Sequence, residues 1–183
     1  MRRRDARNRR AAVGVLAVLA LLLLTATSPF AERPAQSGNS SKSSAETAAG
    51  PLPDFTLPDQ NGKEVSLRQF IGKTPVLLAF WATWCPHCVE AVPRINRMNA
   101  DLSPGGKLQI LALNYMESGQ KVTAFIATKR IFYTVLMDRR GAVARKFHVV
   151  GIPTYILIDR SGNVVFRGYE IPDVRNYLES PGR

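Results

Sequence analysis

Apolar and polar residues follow each other in blocks along residues 52–183, and the blocks predict an α/β domain. Residues 76–81 form a nearly unbroken apolar run, which is typical of a strand covered on both faces. Downstream, apolar residues recur every three or four positions, the period of a helix: Val92, Ile95, Met98 and Leu102. This helix is expected to end at the breakers Pro104-Gly105-Gly106, before a second apolar strand at 108–113.

The rest of the domain predicts two hairpins and three further helices. Asn61-Gly62 between two extended stretches indicates a hairpin over 53–67. Ser118 can cap a helix with Val122, Phe125 and Ile126 on one face. The remaining predicted elements are a strand at 133–137, a helix at 142–147, a hairpin of strands 154–158 and 164–167, and a helix at 174–178. This order predicts a mixed sheet flanked by helices, with an added N-terminal β-hairpin.

The N-terminus has the pattern of an export signal. Six arginines lie within residues 2–10, and no charged residue follows until Glu32. The 20 residues from Ala11 to Phe30, at about 1.5 Å each, reach roughly the 30 Å of a bilayer core. We therefore expect residues 1–30 to be a single-pass signal anchor that leaves the domain on the extracytoplasmic, or periplasmic, side. A cleaved signal is the alternative and would release the protein to the periplasm, but Pro29 makes the junction a poor cleavage site.

Residues 31–51 contain no aromatic residue and few β-branched ones, so this segment is predicted to be a flexible linker. As a coil it would span on the order of 25 Å. The folded domain is then expected over residues 52–183.

The charge distribution and the cysteine count exclude several classes of protein. Of the net charge of +11, residues 1–50 carry +5, because they hold eight basic and three acidic side chains. The other basic residues are scattered, without interleaved aromatic residues, so we expect no nucleic-acid partner. Two cysteines exclude a disulfide-rich scaffold and a four-cysteine zinc ribbon.

The candidate chemistry lies in Cys85-Pro86-His87-Cys88, which follows the first buried strand and opens a helix. Unpaired backbone N–H groups and the positive end of the helix dipole favour a thiolate there, and can lower a cysteine pKa from about 8.5 to roughly 3.5–7.5. His87, when protonated, adds a positive charge and tunes the pair together with Pro86. We expect Cys85 to be the exposed attacking thiol and Cys88 the buried thiol that resolves a mixed disulfide.

Two other interpretations of these cysteines are weaker. A purely structural disulfide would close a very small loop and stabilise little. A metal site using both sulfurs and His87 lacks an evident fourth ligand, since His148 lies in a different element. We therefore expect no metal.

Taken together, Trp84-Cys85-Pro86-His87-Cys88 and Gly151-Ile152-Pro153-Thr154 resemble the thioredoxin-fold proteins. The N-terminal hairpin, anchor and linker are similar to the TlpA, ResA and CcmG branch of extracytoplasmic thiol–disulfide oxidoreductases. The resemblance covers about residues 52–179. It implies a redox-active Cys85–Cys88 disulfide with no other cofactor. It also implies a cis Pro153, with the Ile152 backbone pairing with a substrate strand and Trp84 shielding Cys85.

The sequence departs from the family pattern in three places. The buried aspartate of thioredoxins is replaced by Ala79, and the glutamate often found three residues after the second cysteine is replaced by Ala91, with Glu90 one position earlier. A one-residue slip rotates a helical side chain by about 100°, so we expect Glu90 to be solvated. Water or Glu117 is left to deprotonate Cys88. The Pro-His dipeptide, the third departure, resembles the oxidising DsbA proteins.

Three functions stay open on these grounds. The first is a disulfide reductase for exported proteins with cysteines, such as apocytochrome c or copper-site proteins, supplied by a membrane or thioredoxin-like electron donor. The second is a DsbA-like disulfide oxidant in the same compartment. The third is a tethered metal-binding module or metallochaperone that uses both sulfurs as soft ligands. We expect a monomer, because nothing in the sequence supplies a dimerisation region.

Overall fold

A five-stranded mixed sheet forms the centre of the domain. The computed structural model of the chain describes residues 52–179, and the elements below lie in this range. The sheet consists of β3 (Val76–Trp81), β4 (Gln109–Tyr115), β5 (Thr134–Asp138), β6 (Thr154–Ile158) and β7 (Val164–Gly168). Its strand order is β5-β4-β3-β6-β7; β4 runs parallel to β3 and β5, whereas β6 runs antiparallel to β3 and β7.

The central strand β3 explains the apolar run of the sequence. All six of its residues are buried, and they alternate between the two faces of the sheet. Leu77, Ala79 and Trp81 belong to one apolar cluster, whereas Val76, Leu78 and Phe80 belong to the other. A strand that faces an apolar layer on both sides has no position for a polar side chain.

Three helices cover the first face of the sheet. They are α1 (Pro86–Leu102), α2 (Gly119–Lys129) and α4 (Val174–Glu179). The buried residues of α1 follow the predicted helical period, and Ser118 caps α2 by accepting a hydrogen bond from Lys121 N–H. These helices therefore form where the sequence pattern predicts them.

The second face is covered by the short helix α3 (Ala142–Lys146) and by the N-terminal hairpin of β1 (Thr56–Pro58) and β2 (Glu64–Ser66). Phe147 lies between them, with its ring centroid 6.0 Å from that of Phe55 and 5.9 Å from that of Phe80. The hairpin also bonds to the sheet edge, since Gln60 N–H donates to the Val135 carbonyl and Val135 N–H donates to Gln60 Oε1. The added hairpin is thus part of the core.

The predicted element order is confirmed, including both hairpins. Within residues 52–179, no helix has the length and hydropathy needed to cross a membrane. The predicted anchor over 1–30 and the linker over 31–51 lie outside the described residues.

Candidate active site

The two cysteines lie where β3 leads into α1. Cys85 is the N-cap residue of α1 in extended conformation, and Pro86 occupies the first turn, where a missing N–H costs nothing. The Cys88 N–H donates to Cys85 Sγ at 3.3 Å, so the sulfur takes the role of the capping oxygen. Cys85 and Cys88 form a disulfide.

The Gly151-Ile152-Pro153-Thr154 segment lies opposite this disulfide. The Ile152–Pro153 peptide bond is cis, as the family resemblance implied. Thr154 starts β6 and pairs with Phe80 of β3, so the register of the sheet brings the proline loop next to the cysteines. Cys85 Sγ lies 3.8 Å from the carbonyl oxygen of Ile152. The structure therefore brings together two motifs that are 67 positions apart.

The expectation of an exposed Cys85 is wrong for the disulfide form. Cys85 and Cys88 are each only 4% exposed, and both belong to the apolar cluster that includes Trp81 and Tyr155. The physical reason is that the sulfur of Cys85 is bonded to Cys88 on one side and faces Ile152 on the other.

The Pro-His dipeptide lies on the surface. Pro86 is exposed, and the side chain of His87 is 82% exposed. His87 Nδ1 lies 3.2 Å from Glu90 Oε2, and the Glu90 side chain is itself 74% exposed. The prediction that Glu90 is solvated is confirmed. A protonated His87 would share its charge with Glu90, which reduces its influence on Cys85.

Three exposed apolar side chains lie in or beside the cysteine and proline loops. Trp84, which precedes Cys85, is 61% exposed. Val150, which precedes Gly151, is 89% exposed, and Tyr169 is 59% exposed. A methyl group on Gly151 would lie 3.8 Å from the ring of Tyr169, so this tyrosine lies beside the proline loop. Sequence reasoning missed Val150 and Tyr169, although an apolar residue directly before the Gly-Ile-Pro-Thr motif was an available signal.

The two positions at which the resemblance places carboxylates are alanines here. Ala79 pairs with Ala112 and Tyr155 in the sheet, and Ala91 packs partly buried against the same cluster. Burial raises the pKa of Tyr155 to about 12, so its phenol stays protonated at neutral pH.

Glu117 is the buried carboxylate near the cysteine loop. Its Oε2 accepts hydrogen bonds from Thr83 N–H at 2.7 Å and Asn114 Nδ2 at 2.8 Å. Its Oε1 accepts from Thr83 Oγ1 at 2.7 Å and lies 2.7 Å from Lys121 Nζ. Burial by itself would raise the pKa of Glu117, but the bonds from Lys121, Thr83 and Asn114 outweigh it and lower the pKa. A carboxylate held ionised in this way is a poor proton acceptor for Cys88.

His148 lies in the loop before the proline strand, is exposed and has a φ of 49°. Among residues 52–179, no group of three or more His, Cys, Asp and Glu side chains could hold a metal ion.

The comparisons with known proteins agree with this geometry. The chain is 34% identical over 131 residues to the thiol-disulfide oxidoreductase ResA of Geobacillus thermodenitrificans, covering 70% of this chain and 74% of the relative. It is 33% identical over 113 residues to ResA of Bacillus thuringiensis subsp. konkukian, and spans 64% of the length of that relative, just under two thirds.

A solved structure shares both sequence and fold. The Chlorobium tepidum protein described as a thiol:disulfide interchange protein DsbE aligns with a TM-score of 0.61 and 33% identity, over 70% of this chain and 88% of that one. The match to the AhpC/TSA family covers residues 49–167, which include both the cysteine pair and the cis proline. With its mixed sheet, flanking helices and Cys-Pro-His-Cys disulfide, the chain belongs to the thioredoxin-like AhpC/TSA family.

Proposed function

We propose that the protein is a membrane-anchored extracytoplasmic thiol–disulfide oxidoreductase that reduces disulfides of exported proteins. The observation that carries this proposal is the Cys85–Cys88 disulfide at the N-terminus of α1, 3.8 Å from the carbonyl oxygen before a cis proline. The ResA relatives, named thiol-disulfide oxidoreductases, support the same reaction.

The proposed reaction is a pair of thiol–disulfide exchanges. In the reduced protein, the Cys85 thiolate attacks one sulfur of the client disulfide, and the other client sulfur leaves as a thiolate and takes a proton from water. Cys88 then loses its proton to water, and its thiolate attacks Cys85 Sγ. The mixed disulfide breaks, and the second client sulfur leaves as a thiolate that takes a proton from water. The client has gained two electrons and two protons, and the protein ends as the Cys85–Cys88 disulfide. An electron donor in the membrane, or a thioredoxin-like one, must reduce it again.

We expect a client to bind beside the disulfide as an extended peptide. The backbone of Ile152 can pair with a client strand, and Pro153 contributes no N–H that would compete for the sulfurs. Trp84, Val150 and Tyr169 are exposed apolar side chains in or beside the cysteine and proline loops and can contact the residues that flank a client cysteine. Such exposed apolar surface at a reactive site is typical of a protein-binding groove.

The position of His87 favours reduction over oxidation. A strong oxidant needs a charge that stabilises the thiolate of its reduced form. Here the His87 side chain is exposed and lies next to Glu90, so solvent and this carboxylate would screen the charge of a protonated His87. The Pro-His dipeptide is therefore expected to have a weaker effect than in an oxidase.

The described part of the chain begins at the end of the sheet opposite the cysteines. Leu52 lies beside the turn between β6 and β7, since a Cβ on Gly162 would come within 3.9 Å of its side chain. That turn is at the opposite end of β6 from Thr154, and so at the opposite end of the sheet from Cys85.

A trapping experiment with the full-length chain tests this function. An oxidised peptide carrying the haem-attachment pattern C-x-x-C-H is the client, as in an apocytochrome c. Cys88→Ser is expected to hold this peptide in a stable mixed disulfide through Cys85, because the resolving thiol is missing. The matched Cys85→Ser variant is expected to hold none. Trapping by Cys85→Ser alone, or by neither variant, would contradict the proposed roles.

A further inference from the structure

Glu117 connects two distant parts of the chain beneath the cysteine loop. Its side chain is 4% exposed, and both of its oxygens are fully engaged. Two of the four contacts go to Thr83, which lies 34 positions earlier and two residues before Cys85. Glu117 therefore binds both the backbone and the side chain of the residue that leads into the N-cap of α1.

The position of Glu117 follows from the sheet. Asn114 in β4 pairs with Trp81 in β3, so the residues that follow each strand come to lie side by side. Asn114 donates to Glu117 and orients it toward the Thr83 loop. Within that loop the Cys85 N–H bonds back to the Ala82 carbonyl, which makes residues 82–85 a turn.

Lys121 balances the charge of this carboxylate. It lies four positions later, in the first turn of α2, with its side chain 55% exposed, so its ammonium group bridges the buried carboxylate and solvent. Glu117 and Lys121 thus place one negative and one positive charge beneath the turn that carries Cys85. The other ion pair near the cysteines, His87–Glu90, lies on the surface of α1.

We propose that Glu117, paired with Lys121, is a positioning residue that fixes the Thr83–Cys85 turn and sets how readily the Cys85 thiol ionises. The inference rests on the proposed thiol–disulfide function and deepens it. Glu117 holds the turn through Thr83 and does not contact the reacting sulfurs, so its charge and that of Lys121 act on the Cys85 thiol through space. Since a nearby negative charge disfavours a thiolate and a positive one favours it, the two members of the pair act with opposite sign.

The opposite signs give a sharp test. In the full-length chain purified in detergent with Cys88→Ala, Cys85 is the single thiol. The pH dependence of its alkylation by iodoacetamide then gives the acid dissociation constant of Cys85. Glu117→Gln removes the negative charge and is expected to increase this constant at least threefold. Lys121→Met removes the positive charge and is expected to decrease it at least threefold. If the two residues acted only by holding the turn, either substitution would loosen it, and the constant would move in the same direction in both variants.

Two controls sharpen the comparison. Lys121→Arg keeps the charge and is expected to restore the wild-type constant, whereas Lys129→Met, two turns further along α2, is expected to leave it unchanged. If Glu117→Gln does not fold, the lysine series still decides the question, because the Lys121 side chain is half-exposed. Constants that stay the same, or that shift in one direction in both variants, would overturn the proposal.

Failure of this inference is separable from failure of the function. The wild-type chain with both cysteines is first equilibrated with reduced and oxidised glutathione. If it does not exchange, the thiol–disulfide function itself is contradicted. If it exchanges but the constants do not separate as described, only the role of Glu117 and Lys121 is contradicted.

Discussion

Nδ1 of His87 lies 3.2 Å from Oε2 of Glu90, and both side chains extend into solvent from the first turns of α1. A protonated His87 would make the disulfide more oxidising through its positive charge, and the negative charge of Glu90 offsets that effect. The sequence alone placed His87 beside the cysteines, whereas the pairing with Glu90 depends on the helix.

His87→Pro is expected to raise the pKa of the Cys85 thiol and to make the disulfide harder to reduce, because a positive charge near the thiolate is lost. The exposure of His87 limits the change in the equilibrium constant with glutathione to less than about tenfold, or ~30 mV for this two-electron couple. Glu90→Gln leaves the histidine charge unopposed and is expected to act in the opposite sense. An unchanged Cys85 titration in both variants would show that His87 does not tune the cysteine pair.

The lowered pKa of Glu117 predicts a pH-dependent contribution to stability. A carboxylate whose pKa is lower in the folded than in the unfolded state stabilises the fold above the unfolded value, here about 4.5. That stabilisation is lost as the pH falls through the folded value. The stability difference between the wild type and Glu117→Gln, measured by urea unfolding, is therefore expected to be largest at neutral pH and to shrink below about pH 4.5. A difference that grows on acidification would contradict the ionised state of Glu117.

Gly141 is expected to tolerate no side chain. Its φ is 63°, and a Cβ would lie 2.8 Å from a ring carbon of Tyr115 and 3.2 Å from the side chain of Met116. Gly141→Ala should cost about 2–4 kcal/mol of unfolding free energy, from backbone strain plus overpacking. The control is Gly105→Ala, since Gly105 has a φ of 78° and nothing within 4 Å of the new methyl group. It should cost about 1 kcal/mol, from strain alone. Equal losses would show that the contact with Tyr115 is unimportant.

Phe147 is expected to be a main support of the second face of the sheet. It is 1% exposed and contacts both Phe55 of the hairpin segment and Phe80 of β3. Phe147→Ala should lower the free energy of unfolding by about 3–5 kcal/mol, because it leaves a cavity between these rings. Phe132→Ala is the matched control: Phe132 is 72% exposed, and its truncation should change stability by less than about 0.5 kcal/mol. Chemical denaturation of the three proteins would check this order.

The sequence predicted most of the fold because the elements carry strong local signals. The apolar run of β3, the period of α1 and the Asn61-Gly62 turn need no partner to be recognised. The cysteine and proline motifs located the centre of the site for the same reason. The exposure of Cys85 was mispredicted, because burial depends on Ile152, which folds against it from a distant loop.

The contacts of Glu117 could not be predicted from the sequence. It was one of two candidates for the base that deprotonates Cys88, but its partner Thr83 lies 34 positions away and becomes a neighbour through the β3–β4 pairing. The docking of Gln60 on Val135, across 75 positions, is a contact of the same kind. Contacts between residues this far apart in the sequence are set by the packing of the whole domain, and no local sequence pattern indicates them.

The reduction potential of the Cys85–Cys88 pair in the full-length chain tests the proposed reductase function most directly. It is measured by equilibration with thiol–disulfide redox buffers. The control is Phe132→Ala, a variant remote in sequence from both cysteines. The structure, with His87 exposed and offset by Glu90, predicts a midpoint near or below roughly −230 mV, as expected for a protein that reduces its clients. A midpoint near roughly −120 to −150 mV would contradict this direction and would mean that the protein forms disulfides.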